Sequence, residues 1–325
     1  MYQVPALKEY FINYMNENSF DKSPKGLFKP VDYILRLGGK RLRPILVLMS
    51  YNLFHNSISA ALPIAYAIEI FHNFSLVHDD IMDEAPIRRG KPTIHHKYGL
   101  NTGILSGDVM LIYAYQYLLK IKQKELIPEI VTIFTEVAEK VCIGQQYDVD
   151  FETSNKVSIS DYLKMIEYKT AVLLVGALKM GATLAKASSI DIHHLGEFGK
   201  NIGLAFQMQD DLLDTFGEAD KFGKMVGGDI VQNKKTYLVL KTLELADSKD
   251  KTQLIRLMNN EVIAPTEKVE LVKSIFIKYD IQQLTYSKQQ EYQSQAMQHL
   301  AKVSVTQERK VALTKLANDL LLRKI

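Results

Sequence analysis

The chain has 325 residues, 47% of them hydrophobic and 24% charged, a composition typical of a globular protein that can bury a large core. Its net charge is +3, and it carries no basic tail, zinc-ligand spacing or RNP-like aromatic pattern, so we expect no nucleic-acid partner. The single cysteine, Cys142, excludes an intramolecular disulfide. Because no signal-peptide pattern is found, we expect a cytoplasmic protein.

Apolar residues recur at steps of three and four along most of the chain, which predicts amphipathic helices. In chain order, these helices are predicted at 4–17, 28–36, 41–54, 60–84, 102–121, 126–151, 160–186, 191–216, 234–246, 266–278 and 306–323. Helix breaks are predicted at Gly38-Gly39, Pro86, Gly90, Gly99, Gly107 and Gly227-Gly228. No sustained strand-type alternation is found. We therefore predict an all-α protein with one domain over 1–325, built as a large helical bundle around a central cavity.

The two most apolar stretches are too interrupted to cross a membrane. Pro63, Glu69 and His72 break the first, "SAALPIAYAIEIFHNF", and Lys179 breaks the second, "AVLLVGALKMGATLA". A membrane-spanning helix needs roughly 20 uninterrupted apolar residues. We expect no integral membrane segment.

Two aspartate clusters of the form Asp-Asp-x-x-Asp lie near the C-terminal ends of predicted helices, in "HDDIMDE" (78–84) and "QDDLLDT" (209–215). The negative end of a helix dipole disfavours carboxylates unless a cation is supplied. On a helix, the first and last aspartates share a face and the middle one lies to the side. Such a set of oxygen ligands suits Mg²⁺, which is often bound together with substrate phosphates.

A solvated acidic face is the ordinary alternative for one such cluster, but the apolar surroundings argue against it here. His72, Asp79 and Asp83 fall on one stripe of the first helix, and Gln207, Asp210 and Asp214 on one stripe of the second. Polar residues thus line one face of otherwise buried helices. Two such faces would repel each other strongly without a metal ion.

Basic residues gather in short segments beside these clusters. Guanidinium groups grip phosphate oxygens two at a time, whereas lysine acts as a point charge. Taken singly, each basic pair could be surface charge; together they predict two anion sites. The segments are "GGKRLRP" (38–44), "RRG" (88–90), "YKT" (168–170), Gly223-Lys224 and Lys234-Lys235.

At this point the chain resembles a known family, the trans-isoprenyl diphosphate synthases or polyprenyl synthetases. Seven motifs occur in the family's order and spacing between about 38 and 237: "GGKRLRP", "HNFSLVHDDIMD", "RRGKPT", "GQQYD", "YKT", "FQMQDDLLD" and "GGDIVQNKK". The resemblance implies a homodimeric, all-α prenyltransferase of isoprenoid biosynthesis that joins isopentenyl diphosphate head-to-tail to an allylic diphosphate.

The resemblance also implies a role for individual residues. Three Mg²⁺ ions on the allylic diphosphate would be held by Asp79, Asp80, Asp83, Asp210, Asp211 and Asp214. The same diphosphate would contact Arg88, Lys169, Lys224 and Lys234. Isopentenyl diphosphate would be held by Gly39, Lys40, Arg43, His72 and Arg89. Thr170, Gln207 and Gln145 would lie beside the carbocation, with Asp148 and Asp229 behind them.

The implied reaction starts with ionisation of the allylic C–O bond, assisted by Mg²⁺ and the basic side chains. The isopentenyl double bond then attacks the cation and a proton is lost. No side chain in the set is an obvious general base; in this family the departed diphosphate is thought to take the proton. Because water would quench the cation, the pocket must be dry.

Two residues before the first aspartate cluster bear on product length. In the family, the growing tail points along the first aspartate helix, and the residues four and five before the first aspartate help form the floor. Here these are Ser75 and Phe74. An aromatic residue at minus five, without the insertion common in bacterial farnesyl diphosphate synthases, resembles geranylgeranyl (C20) synthases. We predict C20, with farnesyl diphosphate (C15) as the alternative.

Two further functions stay open from the residues alone. A terpene cyclase shares the first aspartate motif, but usually replaces the second and needs no isopentenyl site. A non-catalytic subunit or metal-binding scaffold typically lacks one aspartate motif, and both are intact here.

Overall fold

The computed structural model describes residues 1–154, 156–217, 227–259 and 263–321. Helices dominate this part of the chain, and the one strand pair is a two-residue hairpin, β1 (Ile87–Arg88) and β2 (Lys91–Pro92). The predicted all-α class is therefore confirmed.

The helices have these bounds in chain order: α1 Val4–Glu17, α2 Lys25–Arg36, α3 Leu42–Asn52, α4 Leu62–Met82, α5 Ile94–Tyr98, α6 Leu100–Leu118, α7 Ile127–Thr153, α8 Ile159–Ile166, α9 Val172–Leu184, α10 Ser189–Phe216, α11 Gly228–Val231, α12 Tyr237–Leu245, α13 Ser248–Met258, α14 Pro265–Lys278, α15 Ile281–Lys302 and α16 Gln307–Leu321. Short 3₁₀ turns span Ser59–Ala61 and Lys124–Leu126, and a π-helical turn spans Glu167–Ala171.

Local sequence signals explain several helix starts. Proline stands in the first turn of α1, α4 and α14, where its missing N–H costs no helical hydrogen bond. Ser158 and Asp161 form a capping box at the start of α8: the serine hydroxyl accepts from the Asp161 N–H, and the carboxylate accepts from the Ser158 N–H.

The chain divides into two compact units. The first unit comprises 1–136, 173–196 and 303–313, and the second comprises 137–172, 197–302 and 314–325. The prediction of a single domain with a central cavity is not tested by this division and stays a prediction.

The first unit is built around α4, which packs against α3 and α6. Its buried face includes Ile64, Ile68 and Phe71. The stretch Ser59–Met82 is long and apolar enough to cross a membrane by length and composition, yet 67% of its most apolar window is buried. Since core helices pass the same test, the finding is weak evidence for a span, and the predicted absence of one stays a prediction.

The second unit has a hydrophobic core formed by the end of α10 and by α11 to α15. Leu212 of α10 packs there with Leu238 of α12, Val272 and Phe276 of α14, and Ile281 of α15. This core holds the end of α10, which carries the second aspartate cluster, in a fixed frame.

Several helix predictions were incomplete or wrong. The segment predicted as one helix over 160–186 is interrupted by the π turn. Four helices, α5, α11, α13 and α15, were not predicted, and the first two have only five and four residues. The longest, α15, is rich in glutamine, and its buried positions include Thr285 and Gln289, so that its apolar spacing is masked. The predicted break at Gly107 is wrong, because this residue is buried inside α6. A Cβ atom there would lie 2.1 Å from His78 Nε2, so glycine gives the imidazole room.

Candidate functional site

The first aspartate cluster stands where α4 ends, in the first unit. Asp79 is half-buried, Asp80 is 2% exposed, and Asp83 caps the helix and is exposed. The first and last carboxylates are thus more accessible than the middle one, as their helical spacing predicts.

Arg88 holds the buried Asp80 carboxylate in a bidentate ion pair. The Arg88 Nε lies 2.8 Å from both carboxylate oxygens, and Nη2 lies 2.6 Å from Oδ1. The β1–β2 hairpin that follows α4 carries Arg88, and its tight turn brings the guanidinium back to the helix end. A buried carboxylate needs such a partner, because an unpaired buried charge is costly.

Four guanidinium groups lie together in the first unit, around α3 and α4. Arg41 pairs with the buried Glu69 and donates to the Leu35 carbonyl. Arg43 Nη1 lies 3.1 Å from His72 Nε2. Arg41, Arg43, Arg88 and Arg89 together make a strongly basic cluster, which suits an anion such as a phosphate.

The "GGKRLRP" loop and the hairpin meet through Arg89. This side chain donates to the Gly38 carbonyl, and its Cζ lies 2.9 Å from where a Cβ atom on Gly39 would be. Glycine at 39 therefore leaves room for the guanidinium. Of the residues predicted to bind isopentenyl diphosphate, the structure brings Gly39, Arg43, His72 and Arg89 together; Lys40 is exposed in the same loop.

The charge state of this cluster follows from burial and mutual repulsion. Burial, helped by the Arg43 and Arg89 charges, holds the pKa of His72 well below its usual value, so the imidazole is neutral at pH 7. Burial also lowers the pKa of Arg43 to about 10. The cluster therefore gains from an anion that relieves this repulsion.

A second cluster of chemical groups surrounds a pocket of about 160 Å³ in the second unit. Acidic, basic and amide side chains share it with an apolar wall. The lining residues are Asp148, Phe151, Glu152, Tyr162, Met165, Ile166, Lys169, Thr170, Gln207, Asp211, Asp229, Lys234, Lys235 and Thr236.

The second aspartate cluster lies near the end of α10 and repeats the pattern of the first. Asp210 and Asp214 are half-buried, whereas Asp211 is 3% exposed. Asp211 accepts a hydrogen bond from the Tyr162 hydroxyl and one of 3.0 Å from Gln207 Nε2. Asp214 Oδ2 accepts from the Asp229 N–H at 2.9 Å.

Burial raises the pKa of Asp211 to about 8, and repulsion from Asp229 adds to the rise. The hydrogen bonds from Tyr162 and Gln207 oppose it. Burial and the nearby Asp211 carboxylate raise the pKa of Tyr162, so its hydroxyl keeps its proton. A cation placed beside Asp211 would favour its ionised form.

The "YKT" segment forms the π turn, and this irregular backbone carries two predicted catalytic residues. Lys169 Nζ lies 2.5 Å from Asp148 Oδ2 on α7, and the Thr170 hydroxyl donates to Gln207 Oε1 at 3.3 Å. A π turn is common at functional sites, because it changes the direction of successive side chains.

Gly144 of α7 lets the π turn approach closely. A Cβ atom at this position would lie 2.3 Å from the Lys169 nitrogen and 2.7 Å from its Cα. The backbone of α7 therefore packs directly against the backbone that carries Lys169. Neighbouring Gln145 is buried on the same helix, and Asp148 is half-buried one turn further.

Of the two lysines predicted to contact the allylic diphosphate from the segment after α10, the structure describes only Lys234. Lys234 lines the pocket, and its Nζ lies 3.9 Å from Asp229 Oδ1. Lys224 lies outside the described residues.

Phe74 and Ser75, predicted to limit product length, lie on α4 in the first unit. The half-buried Phe74 ring packs edge-on against His78, at 4.8 Å between centroids, and lies 5.5 Å from the buried Phe71 ring. Ser75 donates to the His72 carbonyl at 2.9 Å. Phe74 is thus held within an aromatic group that also includes Phe134.

The prediction from sequence missed two buried residues that hold the others in place. Tyr162 binds Asp211; the available signal was its position seven residues before Lys169, a helical repeat. Glu69 balances Arg41; the available signal was an acid three residues before His72 in an apolar run.

No three histidine, cysteine, aspartate or glutamate side chains gather as a ready-made metal site in the described ranges. Asp80, Asp211 and Asp214, three of the six predicted ligands, have the protein partners given above. All six offer oxygen atoms only, and the outer two of each cluster are spaced i and i+4 on α4 and on α10. Mg²⁺ usually takes one or two carboxylates and completes its shell with water and substrate phosphates, so this donor set fits it.

Comparison with known proteins supplies a family. The polyprenyl synthetase family profile matches residues 24–276. A geranylgeranyl diphosphate synthase of Sulfolobus acidocaldarius is 38% identical over 311 residues, 91% of this chain and 93% of its own. A geranylfarnesyl diphosphate synthase of Natronomonas pharaonis is 38% identical over 240 residues, 67% of this chain and 69% of its own. A crystal structure of a geranylgeranyl pyrophosphate synthase superposes with a TM-score of 0.95 at 42% identity, covering 100% of both chains.

The close approach at Gly144 predicts a cost for any side chain there. Gly144→Ala should lower the free energy of unfolding by about 1–3 kcal/mol, because the new methyl group collides with Lys169 backbone atoms. Denaturant unfolding measures this change. Gly26→Ala is the matched control, since a Cβ atom there meets nothing within 4 Å and alanine favours the helix. Equal stability of the two variants would contradict this packing.

The raised pKa of Asp211 predicts a pH dependence of stability without metal. Between the ordinary value of 3.8 and about 8, the folded chain keeps a proton that the unfolded chain releases. Stability from this group therefore falls as pH rises through that window. Thermal unfolding between pH 5 and pH 8 should show a smaller decline for Asp211→Asn than for the wild type.

Asp250→Asn provides the control for that experiment. The pKa of Asp250 is lowered by hydrogen bonds from Lys278 and Tyr279, so its effect on stability is lost only at acid pH. Its decline between pH 5 and pH 8 should match that of the wild type. A decline in Asp211→Asn as steep as the wild type's would rule out the buried carboxyl as its source.

Proposed function

The chain belongs to the polyprenyl synthetase family and is a prenyltransferase, and we propose that it condenses isopentenyl diphosphate with allylic diphosphates, ending at geranylgeranyl diphosphate (C20). The observation that carries the proposal is the pocket of the second unit, where Lys169, Thr170 and Gln207 adjoin the second aspartate cluster. The 38% identity to a named geranylgeranyl diphosphate synthase, over 91% of this chain, supports the product.

In the proposed reaction the allylic C–O bond breaks heterolytically, and the diphosphate leaves with the electron pair. The π electrons of isopentenyl diphosphate form the new carbon–carbon bond, and a proton passes to the departed diphosphate. Lys169 and Lys234 would stabilise the charge on the leaving group. The Thr170 hydroxyl and the Gln207 carbonyl would face the cation with the negative ends of their dipoles, and the apolar wall of Met165 and Ile166 would exclude water.

Isopentenyl diphosphate is proposed to bind the basic cluster of the first unit. Arg43 and Arg89 would grip its phosphate oxygens, with neutral His72 as a hydrogen-bond partner and Lys40 as an exposed charge. Glu69 pairs directly with Arg41, and its charge acts on Arg43 and Arg89 without a direct ion pair to either in this structure. This division of roles explains why the cluster has more positive charge than its own acids neutralise.

The allylic diphosphate is proposed to bring Mg²⁺ with it. Asp79, Asp83, Asp210 and Asp214 would hold the metal, and three ions are expected from the resemblance. Bound Mg²⁺ would neutralise charge on the leaving diphosphate. Asp80 and Asp211 would act through other side chains. The Asp80 carboxylate keeps Arg88 in place by an ion pair, and the Asp211 carboxyl keeps Gln207 in place by a hydrogen bond.

Phe74 is proposed to end chain growth. It lies five residues before Asp79, about 7.5 Å along the helix, and its ring is braced by Phe71 and His78. A fixed aromatic ring stops a growing apolar tail because a packed interior does not yield. Ser75 would leave space beside it.

We also propose a homodimer in the cytoplasm. The family resemblance supports the homodimer. The single cysteine, which fits a reducing compartment, supports the location.

The direct test incubates purified protein with Mg²⁺, isopentenyl diphosphate and dimethylallyl, geranyl or farnesyl diphosphate in turn. Products are dephosphorylated and sized by chromatography and mass spectrometry. A C20 alcohol from all three primers is expected, and none should form when a chelator removes Mg²⁺. Farnesol as the end point would keep the reaction and replace the product by C15. No condensation with any primer would refute the proposed function.

Replacing the proposed floor should change product length. Phe74→Ala should extend the main product by at least one isoprene unit beyond C20, because the ring no longer blocks the tail. Phe28→Ala is the control: this buried ring lies in the same unit but packs against Phe20 and Tyr113 instead. Product mass does not depend on how much enzyme is folded. An unchanged product from Phe74→Ala would remove Phe74 from this role.

A further inference from the structure

A chain of hydrogen-bonded side chains joins four residues of the pocket in the second unit. The Thr170 hydroxyl donates to Gln207 Oε1 at 3.3 Å, and Gln207 Nε2 donates to Asp211 Oδ1 at 3.0 Å. The Tyr162 hydroxyl donates to the other carboxylate oxygen, Asp211 Oδ2. Tyr162 and Asp211 are 2% and 3% exposed, so bulk water does not replace these bonds.

The Tyr162 hydroxyl determines which carboxylate oxygen remains for Gln207. Because it holds Oδ2, the Asp211 carboxyl group stays turned with Oδ1 towards Gln207 Nε2. The Gln207 amide must then turn its NH₂ group towards Asp211 and its carbonyl towards Thr170. A glutamine side chain has no such preference by itself, since its two ends are nearly the same size.

The amide orientation matters for the proposed reaction. With the carbonyl turned to Thr170, the negative end of the amide dipole lies beside the place proposed for the cation. The reversed amide would present N–H groups, which repel a positive charge. The hydrogen bond from the Tyr162 hydroxyl to Asp211 thus decides whether the Gln207 amide stabilises or destabilises the cation.

We propose that Tyr162 is a positioning residue for prenyl transfer: through Asp211 it fixes the Gln207 amide with its oxygen towards the carbocation. The inference rests on the proposed function. Tyr162 touches neither substrate in this proposal, and its effect is carried by two hydrogen bonds. Without its hydroxyl, the Gln207 amide should lose its fixed orientation, so that the cation is held less firmly and water captures a larger share of it.

The measurement is the partition of the ionised primer. Water that adds to the cation and loses a proton gives the allylic alcohol, whereas isopentenyl diphosphate gives the elongated diphosphate. The ratio of alcohol to elongated product from one primer is independent of how much enzyme is folded. It therefore separates a positioning role from a loss of stability.

Tyr162→Phe should raise this ratio about tenfold, the equivalent of one hydrogen bond of roughly 1.4 kcal/mol. Tyr279→Phe is the matched control, because Tyr279 also donates to a carboxylate in this unit, Asp250 at 2.9 Å, but does not line the pocket. Its ratio should equal that of the wild type. An unchanged ratio in Tyr162→Phe, or an equal rise in both variants, would overturn the inference.

A double-mutant cycle tests the route through Gln207. In a Gln207→Leu background no amide can be reoriented, so adding Tyr162→Phe should leave the ratio unchanged. A further tenfold rise in that background would show that Tyr162 acts by another path and would overturn the inference.

A size-conserving variant guards against misfolding of Tyr162→Phe. Fluorotyrosine at position 162 keeps the ring and hydroxyl, while the fluorine strengthens hydrogen-bond donation, so the ratio should fall below that of the wild type. No change would contradict the inference. If the wild type itself condensed no primer, the proposed function would fail and this inference with it; condensation with unresponsive ratios would refute the inference alone.

Discussion

The structure depends on how it accommodates a buried carboxylate at the end of an apolar helix. Each aspartate cluster has one such group, Asp80 on α4 and Asp211 on α10, and each is buried where the helix dipole is unfavourable. Such a group is tolerated only with a close partner. In the first unit the partner is Arg88, which requires the β1–β2 hairpin to turn back. In the second unit the partners are neutral, Tyr162 and Gln207.

The difference between these partners gives the two clusters different electrostatic characters. Arg88 pairs with Asp80, and Arg41, Arg43 and Arg89 lie nearby, so these surroundings are rich in positive charge and suit an anion. In the second unit, burial and repulsion from Asp229 raise the pKa of Asp211 despite its neutral hydrogen-bond donors, so its surroundings suit an added cation. The proposed diphosphate substrate, together with the Mg²⁺ proposed to accompany it, would supply both signs of charge. The same motif, written twice in the sequence, is therefore two different electrostatic sites.

Irregular backbone occurs where the proposed catalytic side chains are found. The π turn redirects Lys169 and Thr170, and Gly144 lets α7 approach that turn without a side chain between them. Arg41 and Arg89 have positive φ angles of 55° and 51°, and the glycines of the same two loops, Gly38, Gly39 and Gly90, also have positive φ. Such conformations cost energy and persist only when surrounding contacts hold them. Ordinary helices supply the rigid frame for these local exceptions.

The sequence by itself determined the helical class, the motifs and the family resemblance, because helical periodicity and motif spacing are local properties that survive in one dimension. It also predicted that the outer aspartates of each cluster share a face. It did not predict the polar helix α15, the π turn, or the burial of Gly107, since tertiary packing overrides weak local preference. Only the tertiary structure decided which acid pairs with which partner: Glu69 with Arg41, Asp80 with Arg88 and Asp211 with Tyr162. Such pairing depends on distances of a few ångströms between segments far apart in the chain, and no sequence period encodes those distances.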